Sequence, residues 1–152
     1  MIMETSQKGI NLIKKFEGFR NKAYRCSAGV LTIGYGHTGN VKEGDDISEA
    51  KAEELLKEDV KFAENAVNRF VCRPIQQNQF DALVSFVYNL GAGAFSSSTL
   101  CRKVNVKPDD DSIYNEFLKW KNIRNPQTGR LQPSAGLLRR REEEAKLYFS
   151  KV

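Results

Sequence analysis

The stretch KKFEGFRNKAYRCSAGVLTIGYGHTG, Lys14–Gly39, contains a change of hydrophobic period that decides the fold. Before it, apolar residues recur at helical spacing, from a capping residue, Ser6, to Gly18, a residue that favours the end of a helix. After Ala23, aromatic and β-branched residues mix with glycines, which is typical of short strands and turns. The sequence therefore predicts a first helix, with Glu17 in its last turn, followed by a small antiparallel sheet.

The rest of the chain is predicted to be helical. A second, long helix is expected to begin near Ser48 and to run to about Phe70. Residues 76–90 are apolar on nearly all sides, which predicts a buried central helix that Gly91 and Gly93 end. The later elements are short helices near 98–104 and 110–120, a turn or loop at 125–129, and a last helix capped by Ser134. This order predicts an α+β fold that is mostly helical, with segregated elements.

The composition is typical of a soluble, globular chain. The 152 residues suffice for one domain, or for two small lobes that share a core. The formal net charge of +5 suits an anionic partner, such as nucleic acid, an acidic membrane surface or a cell-wall polymer, without selecting among them. We expect no stable membrane insertion and no signal peptide, because no apolar run has the length of a membrane span and the start, MIMETSQKGI, lacks the pattern of a secretory signal.

The cysteines and the histidine do not predict a metal or cofactor site. Cys26, Cys72 and Cys101 cannot all pair and form no C-x-x-C, so neither a disulfide scaffold nor a zinc site is expected. His37, the only histidine, has no partners at ligand spacing and is expected to be a hydrogen-bonded structural residue. GYGHTG does not match a phosphate-binding loop. The run RRREEE, 139–144, favours a solvated, ion-paired helix face.

From the residues alone, Glu17 has two interpretations. It is either a solvated residue at a helix end or a working acid whose protonated form is favoured by the helix dipole and by burial between Phe16 and Phe19. A carboxyl that stays protonated near neutral pH can donate a proton, for example to a glycosidic oxygen. Cys26 is likewise either a buried thiol or a reactive one, and composition does not decide between these alternatives.

Four blocks of the chain occur in the order and at the spacing of a known family: KKFEGFRNKAY, LTIGYGHTG, QFDALVSFVYNLGAGAFSSSTL and GLLRRREEEAKLY. They resemble the tailed-phage lysozymes, the endolysin muramidases of glycoside hydrolase family 24, from about Gly9 to Phe149. The catalytic signature of that family is Glu, eight residues, Asp or Cys, five residues, Thr. It falls on Glu17, Cys26 and Thr32, so the chain resembles the cysteine branch of the family.

The resemblance implies the architecture and the substrate. It implies a single lysozyme domain with a small lobe at about 15–65, which contains the sheet, and a helical lobe at about 1–14 and 66–152. A long helix would join the lobes, and a cleft would lie between them. The implied reaction is hydrolysis of the β-1,4 bond between N-acetylmuramic acid and N-acetylglucosamine in peptidoglycan, with no cofactor and no metal.

The resemblance also implies residue roles. Glu17 would be the general acid, and Asn89 would contact the substrate. Most glycosidases have a second carboxylate, whose place is taken here by Cys26. Either Cys26 and Thr32 position the attacking water, which we favour, or a thiolate forms a covalent intermediate. The segment 122–135 is longer than the link expected in the family and would alter the rim of the cleft.

The leading hypothesis is therefore an active muramidase, which would be made in the bacterial cytoplasm without a signal peptide and would act on the cell wall, in the periplasm, after the membrane is permeabilised. Many relatives carry an N-terminal membrane-targeting helix that this sequence does not show. The alternative is an inactive wall-binding module of the same fold. A nucleic-acid binder is disfavoured because the basic run is balanced by glutamates and no binding motif is present. We expect a monomer whose partner is peptidoglycan.

Overall fold

The computed structural model describes residues 2–151. In chain order these residues form α1 (Gln7–Glu17), β1 (Arg20–Arg25), β2 (Leu31–Gly34), α2 (Glu49–Asp59), α3 (Lys61–Phe70), α4 (Gln77–Leu90), α5 (Ala92–Ser96), α6 (Thr99–Val106), α7 (Ile113–Leu118), β3 (Asn122–Arg124), β4 (Leu131–Pro133) and α8 (Ala135–Tyr148). The mostly helical α+β fold predicted from the sequence is confirmed. No helix within this range combines the length and the apolar character needed to cross a bilayer.

The chain divides into two compact units. One is Ile10–Phe62, and the other joins the N-terminal residues through Gly9 to the chain from Ala63 onward. The single domain expected from the sequence includes Met1 and Val152, which lie outside the described residues. Its lobe boundaries stay a prediction.

In the first unit, β1 and β2 form the predicted antiparallel sheet. Arg20 is paired with Gly34 and Arg25 with Leu31. Between these pairs β1 contains a bulge. The strands are joined by a tight turn in which the Cys26 amide donates to the Val30 carbonyl at 3.0 Å. This turn brings the end of β1 close to the start of β2. As a result, Cys26 and Thr32, which are six residues apart in the signature, become neighbours.

The first helix begins and ends where the sequence predicts. The Ser6 hydroxyl accepts a hydrogen bond from the Gly9 amide at 3.5 Å, at the start of α1. At its end, Gly18 adopts a φ of +74° and its amide donates to the Lys14 carbonyl at 3.0 Å. A left-handed residue at this position favours glycine, because a Cβ would be strained there. Glu17 is therefore the last residue of α1.

The single long helix predicted from Ser48 to about Phe70 is wrong. The structure has two helices, α2 and α3, separated by Val60, whose ψ of −8° departs from helical geometry. The Val60 amide still donates to the Leu56 carbonyl at 2.9 Å, so the helical hydrogen bonding of α2 continues up to the break. Val60 is buried. The sequence shows no glycine or proline here, so local signals do not reveal the break.

In the second unit, α8 packs against α4 and α7. The predicted central helix is confirmed as α4, which is buried over most of its length. Phe86 on α4 lies edge-on to Phe95, Phe117 and Trp120, with ring centroids 6.1, 5.8 and 5.6 Å away. Gly91, with a φ of +96°, ends α4 as predicted. The expected role of Gly93 is wrong, because it lies inside the short helix α5.

A second antiparallel sheet was not predicted. Within the segment 122–135, β3 and β4 pair in register, with Asn122 opposite Pro133 and Arg124 opposite Leu131. The predicted turn at 125–129 is confirmed as the connection of this hairpin, and the Asn125 side chain accepts the Gln127 amide at 2.8 Å. Both strands have only three residues, all exposed, so they carry no alternating pattern for a sequence to reveal.

The solvated face predicted for RRREEE is also wrong. Arg140, Arg141 and Glu144 are buried, whereas Arg139 is exposed. The spacing of three and four residues that favours ion pairs on a helix surface also places these side chains on one helix face. Because that face of α8 packs on the rest of the unit, the ion pairs lie inside the protein.

Candidate active site

Glu17 lies against the turn that follows β2. It is half-buried at the end of α1, and its Oε1 is 3.3 Å from the point where a Cβ on Gly36 would be. Gly36 has a φ of +86°, a conformation that side chains rarely adopt. A glycine at this position therefore satisfies the backbone and also leaves room for the carboxylate.

Cys26 and Thr32 are brought together by the β1–β2 hairpin. Cys26 follows β1, and Thr32 lies on β2 opposite Tyr24. Hydrogen bonding from the amides of Val30 and Ala28, and then from the Thr32 side chain, lowers the pKa of the Cys26 thiol, because donors favour the anionic form. The half-buried thiol is thus a hydrogen-bond acceptor and a candidate base.

The Thr32 hydroxyl has two alternative acceptors. Thr32 is buried, and its Oγ1 donates to the Val30 carbonyl at 2.9 Å. Since a hydroxyl has one proton, its donation to Val30 and its donation to the Cys26 sulfur are alternatives, and in either case the oxygen lone pairs of Thr32 can accept from another group. Together, the thiol of Cys26 and the hydroxyl of Thr32 offer two acceptors on one side of the hairpin.

An ionic cluster that the sequence did not predict holds α1 against α2. Lys14 Nζ lies 2.6 Å from Glu53 Oε1 and 3.0 Å from Glu49 Oε1, and the Tyr35 hydroxyl donates to Glu49 at 2.8 Å. The hydrogen bond from Lys14 lowers the pKa of Glu53. Lys14 lies one helical turn before Glu17, so the cluster fixes the end of α1 that carries the candidate acid.

His37 is hydrogen-bonded through both ring nitrogens, as predicted for a structural residue. Its Nδ1 lies 2.7 Å from Asp59 Oδ2, and its Nε2 lies 2.8 Å from the Gly39 carbonyl oxygen. Its backbone pairs with Ile33, which closes the turn that contains Gly36. Across residues 2–151, no group of three His, Cys, Asp or Glu side chains is arranged to hold a metal ion.

Asn89 belongs to the second unit, in the last turn of α4. Its side chain is exposed, and its Oδ1 accepts a hydrogen bond from Arg141 Nη2 at 2.7 Å. Arg141 in turn lies 2.9 Å from Glu144 through its Nε. The sequence singled out Asn89 but not this arginine, because the RRREEE pattern favoured solvent-exposed arginines.

The family of the chain follows from comparison with known proteins. The model of the phage lysozyme family matches residues 14–144. The chain belongs to the phage lysozyme family. It is 43% identical over 148 residues to the endolysin of Acyrthosiphon pisum secondary endosymbiont phage 1, across 97% of this chain and 99% of the relative.

Two solved structures show that the likeness extends to the fold. The muramidase domain of SpmX from Asticaccaulis excentricus is 37% identical with a TM-score of 0.89, over 97% of this chain and 99% of that one. The endolysin from Escherichia coli O157:H7 phage FAHEc1 is 38% identical with a TM-score of 0.90, over 99% of this chain and 96% of that one. The predicted phage-lysozyme fold is confirmed.

Membership of the phage lysozyme family also confirms the predicted enzyme class, a lysozyme-type hydrolase of peptidoglycan. The individual bond that is cleaved and the roles of Glu17, Cys26, Thr32 and Asn89 stay predictions.

Proposed function

We propose that the protein is a muramidase, which hydrolyses the β-1,4 bond between N-acetylmuramic acid and N-acetylglucosamine with Glu17 as general acid. The observation that carries the proposal is the set of contacts around the signature residues. Glu17 lies against the turn that contains Gly36, directly after β2. Cys26 and Thr32 are hydrogen-bonded to each other across the β1–β2 hairpin, which precedes that turn. An acid and a pair of water-binding acceptors are the parts that hydrolysis with inversion requires.

The chemistry follows from these groups. Glu17 donates its proton to the glycosidic oxygen as the bond from that oxygen to the anomeric carbon breaks. Cys26 and Thr32 hold a water on the opposite face of the sugar. Hydrogen bonds to the Cys26 sulfur lower the pKa of the thiol and favour its role as an acceptor for this water, whose oxygen attacks the anomeric carbon while its proton leaves to solvent. The product then has the inverted configuration.

Asn89 is an exposed residue and contacts the glycan through its side-chain amide. The net charge of +5 favours approach to the anionic wall polymer. The protein acts as a monomer on the wall, after the membrane has been permeabilised, and requires neither a cofactor nor nucleic acid.

The proposal is tested with purified peptidoglycan and the variant Glu17→Gln, which keeps the shape of the side chain and removes its acidic proton. We expect the release of reducing ends to fall by at least about 100-fold, the lower range for general-acid catalysis. Glu54→Gln is the matched control, because Glu54 is exposed on α2, and it should retain wild-type activity. A Glu17→Gln variant with more than a tenth of wild-type activity would exclude the assigned acid.

The bond is identified from the products. After borohydride reduction, mass spectrometry of a muramidase digest should show reduced muramic acid at the new chain ends. Reduced glucosamine at those ends would contradict the proposed bond. Wall binding without any new reducing end would favour the inactive wall-binding module.

A further inference from the structure

We propose that Arg141 is a positioning residue, which fixes the Asn89 amide so that its two N–H donors face the glycan and recognise acetamido carbonyl oxygens. This inference rests on the proposed substrate contact of Asn89. It adds the orientation of that contact, the residue that sets it and the chemical group that it selects.

The orientation follows from the chemistry of the two side chains. A guanidinium group carries only donors, so the atom of Asn89 that meets Arg141 Nη2 at 2.7 Å must be the amide oxygen. Amide oxygen and nitrogen positions are exchangeable in an isolated asparagine, but not where the partner can only donate. Since Arg141 is fully buried and Asn89 is exposed, the NH₂ group of Asn89 is the end available to a ligand.

Arg141 is itself held in place by a buried ionic network. Its Nε lies 2.9 Å from Glu144 Oε1, and its guanidinium lies over the Phe86 ring, 5.1 Å from the centroid. The other carboxylate oxygen of Glu144 accepts from the Ser85 hydroxyl at 2.5 Å and from Arg140 Nε at 3.3 Å. Ser85 lies four residues before Asn89 on α4. The same network therefore holds the last turn of α4 through Ser85 and orients the side-chain amide of Asn89 in that turn.

Stability alone does not account for this network. Arg141 and Glu144 are both 0% exposed, and among the described residues no hydrogen-bond acceptor meets Arg141 Nη1. Burying charged groups carries a large desolvation cost, and apolar residues of similar volume are often at least as stabilising as a buried ion pair. Through Asn89, Arg141 connects this buried network to an exposed polar group. Orientation of that amide is a function that an apolar substitute cannot perform.

A fixed pair of N–H donors selects acceptors. The carbonyl oxygen of an acetamido group is a strong neutral acceptor on the wall glycan, whereas the ammonium group of an N-deacetylated sugar can only donate. A site built to hydrogen-bond one group discriminates strongly against an analogue that lacks it. We therefore expect the enzyme to prefer fully N-acetylated glycan.

The variant Asn89→Asp tests this inference without removing the partner of Arg141. The new carboxylate still accepts from Arg141, so the fold should persist, but the outward donors are replaced by an acceptor. We expect the KM for peptidoglycan to rise about tenfold, the loss that corresponds to one hydrogen bond, with a much smaller change in kcat. The preference for native over chemically N-deacetylated peptidoglycan should fall by at least about tenfold.

Asn115→Asp is the matched control, because Asn115 is exposed on α7 and the substitution adds the same negative charge. It should leave both KM and the acetylation preference unchanged. Equal effects of the two substitutions, or an acetylation preference that Asn89→Asp does not alter, would overturn the inference. Arg141→Lys provides a second measurement: if it folds, its KM should rise as in Asn89→Asp, and a wild-type KM would overturn the positioning role.

Binding measured in the Glu17→Gln background separates this inference from the proposed function. The probes are soluble hexamers of N-acetylglucosamine and of its N-deacetylated form. Weaker binding of the acetylated hexamer on adding Asn89→Asp would support the inference even if the wild-type protein released no reducing ends. Unchanged binding, together with active wild-type hydrolysis, would refute the inference and leave the proposed function standing.

Discussion

Glu17 Oε1 lies 3.3 Å from the position that a Cβ would take on Gly36, so the carboxylate lies beside the space that this glycine leaves open. The position of the candidate acid therefore depends on the last turn of α1 and also on a glycine nineteen residues later in the chain.

Gly36→Ala should reduce the lytic activity by more than the accompanying loss of stability can explain. A side chain at a φ of +86° costs about 1–2 kcal/mol, and the new methyl group would also displace the Glu17 carboxylate. Since small displacements of a catalytic group are costly, we expect at least a tenfold loss of lytic rate, about what a shift of under 1 Å causes. Gly44→Ala is the control, because Gly44 has a φ of +87° with nothing within 4 Å of its Cβ position. Similar melting temperatures with unequal activities would confirm the contact, and equal activities would refute its importance.

Substitutions of Cys26 should separate the two routes of hydrolysis. If the side chain holds a water, Cys26→Asp should be active, Cys26→Ser partly active, and Cys26→Ala should lose most of its activity. A nucleophilic thiolate predicts that Cys26→Ser is nearly inactive, because an alkoxide does not form near neutral pH. The anomeric configuration of the first product, measured by NMR, decides: inversion supports the positioned water and retention supports the covalent route. If Cys26→Ala lyses cells as well as the wild type does, Cys26 has no catalytic role and contributes only to packing.

The hydrogen bond between Lys14 and Glu53 predicts a loss of stability in acid. Because it lowers the pKa of Glu53 in the folded state, the contribution is present above the unfolded-state pKa, about 4.3, and is lost as pH falls through the lower, folded-state pKa. Glu53→Gln should therefore lower the free energy of unfolding near pH 7 by about 1 kcal/mol, a value typical of a partly exposed pair. The difference should vanish near pH 2. A difference that is the same at both pH values would contradict this account.

The pair of His37 and Asp59 should act on stability and not on chemistry. We expect His37→Asn to lower the melting temperature while the specific activity of the folded fraction stays near that of wild type. A double-mutant cycle with Asp59→Asn should give a coupling free energy of about 1 kcal/mol. Chelators should leave activity intact. Activity that is lost on chelation and restored by zinc would instead make His37 a metal ligand.

Local sequence determined the parts of the structure whose causes lie within a few residues. The position of Glu17 at the end of α1 follows from helical spacing and from Gly18, and the start of α8 follows from Ser134, whose hydroxyl accepts the Leu137 amide at 3.2 Å. Capping and chain reversal depend on neighbouring backbone groups, so a sequence reveals them directly. The signature that falls on Glu17, Cys26 and Thr32 was likewise readable as a spacing.

Tertiary structure decided what depends on groups far apart in the chain. Three features have no local signal: the break at Val60, the burial of Arg141 and Glu144, and the position of Glu17 beside the space left open by Gly36. The same i, i+3 spacing of Arg141 and Glu144 produces a solvated pair or a buried one, according to which helix face is covered. Burial is a property of the packed chain and not of the segment, and for that reason the arginine that holds Asn89 became visible only in the folded protein.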